Sequence, residues 1–340
     1  MKILIIRLSA IGDIAMASGI VPALKKKYPD ASIDWLVQTE YKQLLLNTKQ
    51  INNLIGWDRS RWQYLFNKKK VFELIKEIKA FIKELRLKRY DMVIDLQGLW
   101  KSVIWLWLCK AKKKIGVEPK EIMCNWVMNE VFYPEKSKDI ASEYKYLLKR
   151  LGAYNGSYSL GIDISEEDKK NSDLLLEEVG LGQEKFIVIS PFTTRDQKHW
   201  PDEYWFELLD KIEEKVVLLG GKGDKKKAQL FEKRCKRLVN LAGRTTIRES
   251  IRIIQRSCFL IGVDTGLTHI AMLSNIPTIA LFGATCPYIT VDNPKGVVLY
   301  HRLECSPCKR TPTCKGDFTC MRLITPLKVF EMYKKVRLFL

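Results

Sequence analysis

The sequence predicts an α/β protein built from two doubly wound halves. Short apolar, β-rich runs alternate with longer helical patterns, the signature of parallel sheets covered by helices. The alternation runs in two rounds, separated by residues 154–170, which are richer in Gly, Ser, Asn and Asp. At 340 residues and 46% hydrophobic, the chain can fill two cores rather than one.

In chain order, the first round places strands near Ile3–Arg7, Ile33–Val37, Met92–Leu96 and Lys114–Val117. The second places them near Phe186–Ser190, Lys215–Leu219, Leu238–Leu241, Phe259–Val263 and Thr278–Phe282. A last stretch, Leu327–Leu340, is basic and apolar with helical spacing. It is expected to pack back across the domain junction, giving expected segments of 1–160, 161–325 and 326–340. Ligands of such sheets bind outside the carboxyl ends of the strands.

The net charge of +19 implies a polyanionic partner: nucleic acid, an anionic membrane face or a phosphorylated substrate. No nucleic-acid module is recognisable, so a non-catalytic nucleic-acid-binding protein is the distant alternative and nucleic acid is not an expected partner. No run approaches the ~20 apolar residues that span a bilayer. Met1–Arg7 is too short for a signal h-region and reads as a first strand. The expectation is a cytoplasmic protein resting on a membrane surface. Cys109, Cys124, Cys235, Cys258 and Cys286 are scattered and look like small core residues.

Residues 262–269, Gly-Val-Asp-Thr-Gly-Leu-Thr-His, follow the apolar run Cys258–Ile261 and open a helix. A strand, turn and helix in this order aim free backbone N–H groups at an anion. Asp264 and His269 then either supply polar contacts to whatever a diphosphate carries or simply cap and pack the turn. The first strand runs into Leu8–Asp13, where Gly12 permits a tight turn. Asp13 suits a general base on a sugar hydroxyl or a helix N-cap. The absence of Gly-x-Gly-x-x-Gly counts against a dinucleotide dehydrogenase. Residues 190–201 place two hydroxyls, an Arg and a Lys in one loop, a phosphate-binding set in which Lys198 can neutralise a departing diphosphate. Residues 240–246 and 220–224 form two further turns, the first suited to a nucleobase pocket.

These residues resemble glycosyltransferase family 9, the ADP-heptose:lipopolysaccharide heptosyltransferases, most closely its heptosyltransferase I branch. The matching pieces are Arg7–Asp13, Asp95–Leu99 with Lys101 and Ser102, Thr193–Asp196 with Lys198–Pro201, and Val263–His269. The resemblance implies a GT-B architecture of two Rossmann-like domains facing across a cleft, acceptor on the first and ADP-heptose on the second. It implies an inverting, metal-independent transfer to Kdo of the inner core (Kdo2-lipid A), with Asp13 as base and Lys198 assisting. Thr193, Thr194 and Lys198 would hold the diphosphate, Thr265 and Gly266 would donate backbone N–H groups, and Asp264 and His269 would contact heptose and phosphates. Thr245 falls where the family contacts adenosine, and Lys101 and Ser102 fall on the acceptor side. The ribose-contacting acid after Gly221 is replaced by Lys225 or shifted to Asp224. An acceptor Arg has no counterpart around Val117–Lys120. A heptosyltransferase II or a protein heptosyltransferase of the autotransporter type is the alternative.

Arg59–Arg89 holds eleven Lys or Arg against three Glu, with Trp62, Tyr64, Phe66 and Phe72 interleaved. Val71, Leu74, Ile75, Ile78, Ile82 and Leu85 follow helical spacing and are expected to face inward. The free basic face suits an anionic inner-membrane surface, with Arg59 and Arg61 as acceptor-carboxylate contacts. Cys305, Cys308, Cys314 and Cys320 are spaced tightly enough for one structural zinc or iron, or are reduced thiols.

Overall fold

The computed structural model describes residues 1–135 and 137–338, with side chains throughout except at 122–124. Two compact units divide the chain: residues 1–137 with 141–163, and residues 138–140 with 164 onward.

The first unit contains β1 (Lys2–Ile6), α1 (Ile11–Ser18), α2 (Ile20–Lys27), β2 (Ser32–Gln38), α3 (Lys42–Leu45), β3 (Asn53–Trp57), α4 (Arg59–Asn67), α5 (Val71–Leu87), β4 (Arg89–Asp95), α6 (Trp100–Leu108), β5 (Lys110–Val117), β6 (Glu130–Phe132) and α7 (Ser142–Arg150). Its strands pair in parallel in the order β3-β2-β1-β4-β5-β6. The second unit contains α8 (Glu166–Glu178), β7 (Phe186–Ser190), α9 (Asp202–Lys211), β8 (Lys215–Leu218), α10 (Lys225–Arg234), β9 (Leu238–Asn240), α11 (Ile247–Arg256), β10 (Phe259–Val263), α12 (Gly266–Leu273), β11 (Thr278–Phe282), β12 (Gly296–Tyr300), α13 (Thr319–Arg322) and α14 (Pro326–Arg337). Its parallel order is β12-β11-β10-β7-β8-β9. Both orders are the Rossmann winding, with the direction reversing between β1 and β4 and between β7 and β10. Each unit is therefore a Rossmann-like half of a GT-B fold.

The inner strands are apolar and buried from end to end, as strands covered on both faces must be. Three strands went unanticipated: β3, β6 and β12. They lie at sheet edges, where partial exposure replaces the continuous apolar run with Asn, Gly or Glu. In α5 the inward stripe is Phe81, Ile82 and Leu85, while Val71 and Ile75, expected inside, are 51% and 44% exposed. Leu74, Ile78, Ile82 and Leu85 keep to the anticipated face, and Phe81 joins it, packing edge-on to Trp62 and Trp105.

The final helix, expected to return to the N-terminal domain, places Val329, Tyr333 and Val336 in the second unit's own core, against α9 and β11. Residues 339 and 340 of that stretch lie outside the described residues. Cys109 and Cys235 are buried, and Cys258 and Cys286 are half-buried. Cys124 falls outside the described side chains. Among the described residues, no helix is long and apolar enough to cross a membrane.

Candidate functional site

Reversal of strand order opens a crevice at the carboxyl edge of each sheet, and the chemically distinctive side chains collect there. In the first unit, Arg7 follows β1 and Asp95 ends β4. Arg7 is 6% exposed, donates from Nη1 to the Leu96 carbonyl, and pairs through Nη2 with Asp13 Oδ1 at 3.0 Å. Asp13 sits in the first turn of α1, where its Oδ2 accepts from Ala10 N at 3.2 Å, so the N-terminal role open to it is real. Its side chain is still 44% exposed. A half-exposed carboxylate anchored by a buried guanidinium is oriented and remains accessible.

Arg7 itself lies among four acidic groups: burial alone would weaken its charge, but Tyr144, Asp13, Glu143 and Asp95 push its affinity for the proton up instead. Asp95 is fully buried, which raises its carboxyl to about 6 against the pull of Gln97 N, Ser102 Oγ, Gly98 N and the Arg7 charge. Burial likewise pushes the Glu143 carboxyl up. Gln97 Oε1 accepts from Leu8 N (3.1 Å) and Ser9 N (3.3 Å), tying the β4 end to the loop that carries Asp13.

In the second unit, the loop after β7 and the turn after β10 meet. Lys198, 16% exposed, pairs with Asp264 Oδ2 at 2.7 Å. Asp264 Oδ1 is 3.2 Å from His269 Nε2, and His269 Nδ1 is 2.9 Å from the Tyr288 hydroxyl. Thr285 Oγ1 donates to Asp264 Oδ2. Burial would raise the Asp264 carboxyl, yet the His269 hydrogen bond and the His269 and Lys198 charges hold it below the usual carboxylate range. An ionised Asp264 can only accept, so His269 donates to it from Nε2. Asp264 uses one ammonium proton of Lys198 and leaves two for an anion. Thr265 caps α12 and Gly266 is its first residue, so their N–H groups belong to the helix's orphan donors. Ser190 Oγ and Thr265 Oγ1 lie 3.1 Å apart at the mouth of this turn.

The other anticipated residues fall out unevenly. Thr193 is half-buried and Thr194 exposed in the same loop as Lys198. Thr245 is half-buried, 2.8 Å from Ser250 Oγ. Asp224 turns back to accept from Gly221 N at 2.7 Å, so its carboxylate braces the turn. Lys101 Nζ donates to Ser9 Oγ at 2.9 Å, beside Asp13 in sequence. Ser102, expected on the acceptor side, is fully buried, and its hydroxyl donates to Asp95 Oδ2 at 2.9 Å. Arg59 is exposed with no ion pair among the described residues, whereas Arg61 is engaged by Glu77 at 3.2 Å and Glu73 at 3.7 Å.

Among the described residues no group of three or more His, Cys, Asp or Glu is placed to hold a metal ion. Cys320 is drawn into the buried core of the second unit, while Cys305, Cys308 and Cys314 stay half-buried in the preceding loop. Burial raises the Cys308 and Cys320 thiols, and the neighbouring cysteines add to it.

Arg7, Ser190, Thr285 and Tyr288 had no assigned role in the sequence reading. Thr285 and Tyr288 follow the carboxyl end of β11, next to β10, so strand order was the signal that would have found them.

Two Rossmann-like units, one with an exposed carboxylate and the other with a cationic, N–H-rich turn, define a GT-B glycosyltransferase. The chain belongs to glycosyltransferase family 9 (heptosyltransferase), whose family model matches residues 78–317. It is 26% identical over 299 residues to lipopolysaccharide heptosyltransferase 1 of Escherichia coli O18:K1:H7, covering 84% of this chain and 87% of the relative. It is 28% identical over 284 residues to an Escherichia coli lipopolysaccharide heptosyltransferase 3, covering 81% of each. The solved structure of E. coli heptosyltransferase WaaC with ADP-2-deoxy-2-fluoro heptose superposes with a TM-score of 0.74 at 23% identity, covering 98% of this chain and 99% of that one.

Proposed function

We propose that this chain transfers heptose from ADP-heptose to Kdo of the lipopolysaccharide inner core, with Kdo2-lipid A as acceptor, at the cytoplasmic face of the inner membrane. The half-exposed Asp13 carboxylate, fixed by buried Arg7 at a strand-order reversal, carries the reading. Asp13 takes the proton of the acceptor hydroxyl as its oxygen attacks the anomeric carbon of the heptose. The bond from that carbon to the diphosphate oxygen breaks, the configuration inverts, and ADP leaves with the bonding pair. Lys198 and the N–H groups at the start of α12 take up the charge that develops on the diphosphate. Thr193 and Thr194 complete the phosphate cradle, Thr245 meets adenosine, and Asp264 with His269 orients Lys198 and the sugar. The cation at the diphosphate comes from the protein, so transfer needs no metal and persists in EDTA.

Acceptor-dependent ADP release tests the reading, with Kdo2-lipid A compared against the same acceptor already carrying one heptose. Release with the unheptosylated acceptor alone supports it. Release only with the heptosylated acceptor moves the enzyme to a later step.

A further inference from the structure

At the edge of the first sheet opposite the Asp13 loop lies a cavity of about 550 Å³, lined by Arg86, Arg89, Lys110 and Lys114 with Leu87, Cys109 and Ala111. Among the described residues, no carboxylate lines it. Arg89 and Lys110 are the first residues of β4 and β5 and stand directly opposite each other in the ladder. Like charges so placed destabilise a sheet. The carboxylates of neighbouring strands are committed elsewhere: Asp91 to Lys112, Asp34 to Lys88 and Glu130 to Lys113, each at 2.7 Å. Lys114 Nζ donates to the Trp107 carbonyl, and Arg86, Arg89 and Lys110 have no ion pair among the described residues. The arrangement is a set of cations awaiting an anion from outside the chain.

The helix beside this cavity supplies the second observation. Trp105 and Leu106 of α6 are buried, but Trp100, Ile104 and Trp107 are 44%, 45% and 64% exposed. Their spacing puts the three on one outward stripe about 10 Å long. The stripe runs from Trp100, next to Lys101 at the Asp13 edge, to Trp107, whose carbonyl holds Lys114 at the cavity. Leu87, at the cavity itself, is 74% exposed. Exposed tryptophans next to unpaired cations suit the boundary between acyl chains and anionic head groups.

We propose that this face docks on an anionic phospholipid bilayer, the cavity taking a phosphate head group while Trp107, Ile104 and Trp100 enter the interface. The proposal gives the membrane attachment inferred above a defined surface, and rests on that reading only for its purpose. It places the head-group cavity at one end of α6 and the Asp13 edge at the other, with the apolar stripe between them, so that a lipid-borne acceptor reaches the base without leaving the bilayer.

The test is cosedimentation of the full chain with phosphatidylcholine vesicles, with and without phosphatidylglycerol. Wild type should bind only the anionic vesicles. The triple variant R86Q/R89Q/K110Q should partition about a hundredfold more weakly, and W107A should lose affinity for the same vesicles. The triple variant should keep wild-type ADP release on a soluble Kdo fragment. Equal vesicle binding by wild type and the triple variant would overturn the proposal. If inorganic phosphate raised the melting temperature of wild type but not of the triple variant, while vesicles bound both equally, the cavity would be a free-phosphate site instead. Failure of ADP release by wild type, with vesicle binding intact, would strike the heptosyltransferase reading and leave the docking surface standing.

Discussion

Arg7 and Asp13 divide a task that neither could perform alone: the buried guanidinium holds the carboxylate, and the carboxylate stays within reach of solvent. Asp13→Ala should lower transfer by roughly 10²–10⁴-fold, the usual share of a general base, while ADP-heptose binding by calorimetry stays near wild type. Lys198→Ala removes the cation from Asp264 and from the diphosphate together. Donor binding should weaken and kcat fall roughly 10²–10³-fold, as for other lost charge-stabilising groups; unchanged kcat would remove Lys198 from the charge-bearing role. Asp95 makes a pH prediction. Its folded-state carboxyl, raised to about 6, holds the proton more tightly than the unfolded chain does. Its contribution to stability is therefore complete below about pH 4 and lost as pH rises through 6, an effect on the order of 3 kcal/mol. Asp95→Asn keeps an oxygen for Gln97 N and Gly98 N, so the difference in melting temperature between the two proteins should grow in the variant's favour from pH 4 to pH 7. Asp13, Lys198 and Asp264 were visible in sequence because each follows a β-rich run. Asp95's burial and Ser102's hydroxyl bond to it were not, since both depend on how α6 closes over β4.

The elements that aim these residues are strand–turn–helix units, and their fit is tight. Gly262 in β10 has no room for a side chain: a Cβ there would overlap Thr268 Oγ1 of α12 and lie 3.2 Å from Ser190 Cβ. Thr268 Oγ1 also donates to the Val263 carbonyl at 2.6 Å. Gly262→Ala should push the start of α12 away from β10, raising KM for ADP-heptose about tenfold or more with little change in secondary structure by circular dichroism; an unchanged KM would mean that α12's N-terminus does not hold the donor. Central strands were legible because burial on both faces demands an unbroken apolar run. Edge strands β3, β6 and β12 were not, because pairing with a neighbour, rather than their own composition, makes them strands. The inward face of α5 was legible from Leu74 to Leu85 except at Ile75; what periodicity did not show is that packing against Trp62 and Trp105 draws Phe81 in and leaves Val71 and Ile75 out.

Across the whole molecule, the net charge of +19 is unevenly neutralised, with surplus cations on α4, α5 and the start of β5. Attachment to anionic vesicles should therefore weaken steeply between low and high salt, as screening shortens the reach of exposed charge to a few ångströms; salt-insensitive binding would point to the tryptophans alone. The two-round α/β plan, the turns that carry Asp13, Lys198 and Asp264, and the basic character of the first half are legible along the chain. Those features are local: apolar period, Gly placement and charge are written along the chain. Which strands adjoin at each reversal is settled by the folded sheet instead. That adjacency brings Tyr288 to His269, seats Arg7 beneath Asp13, buries Ser102 and leaves Arg89 opposite Lys110. Such pairings join residues distant in the chain, and long-range packing, not local propensity, selects them.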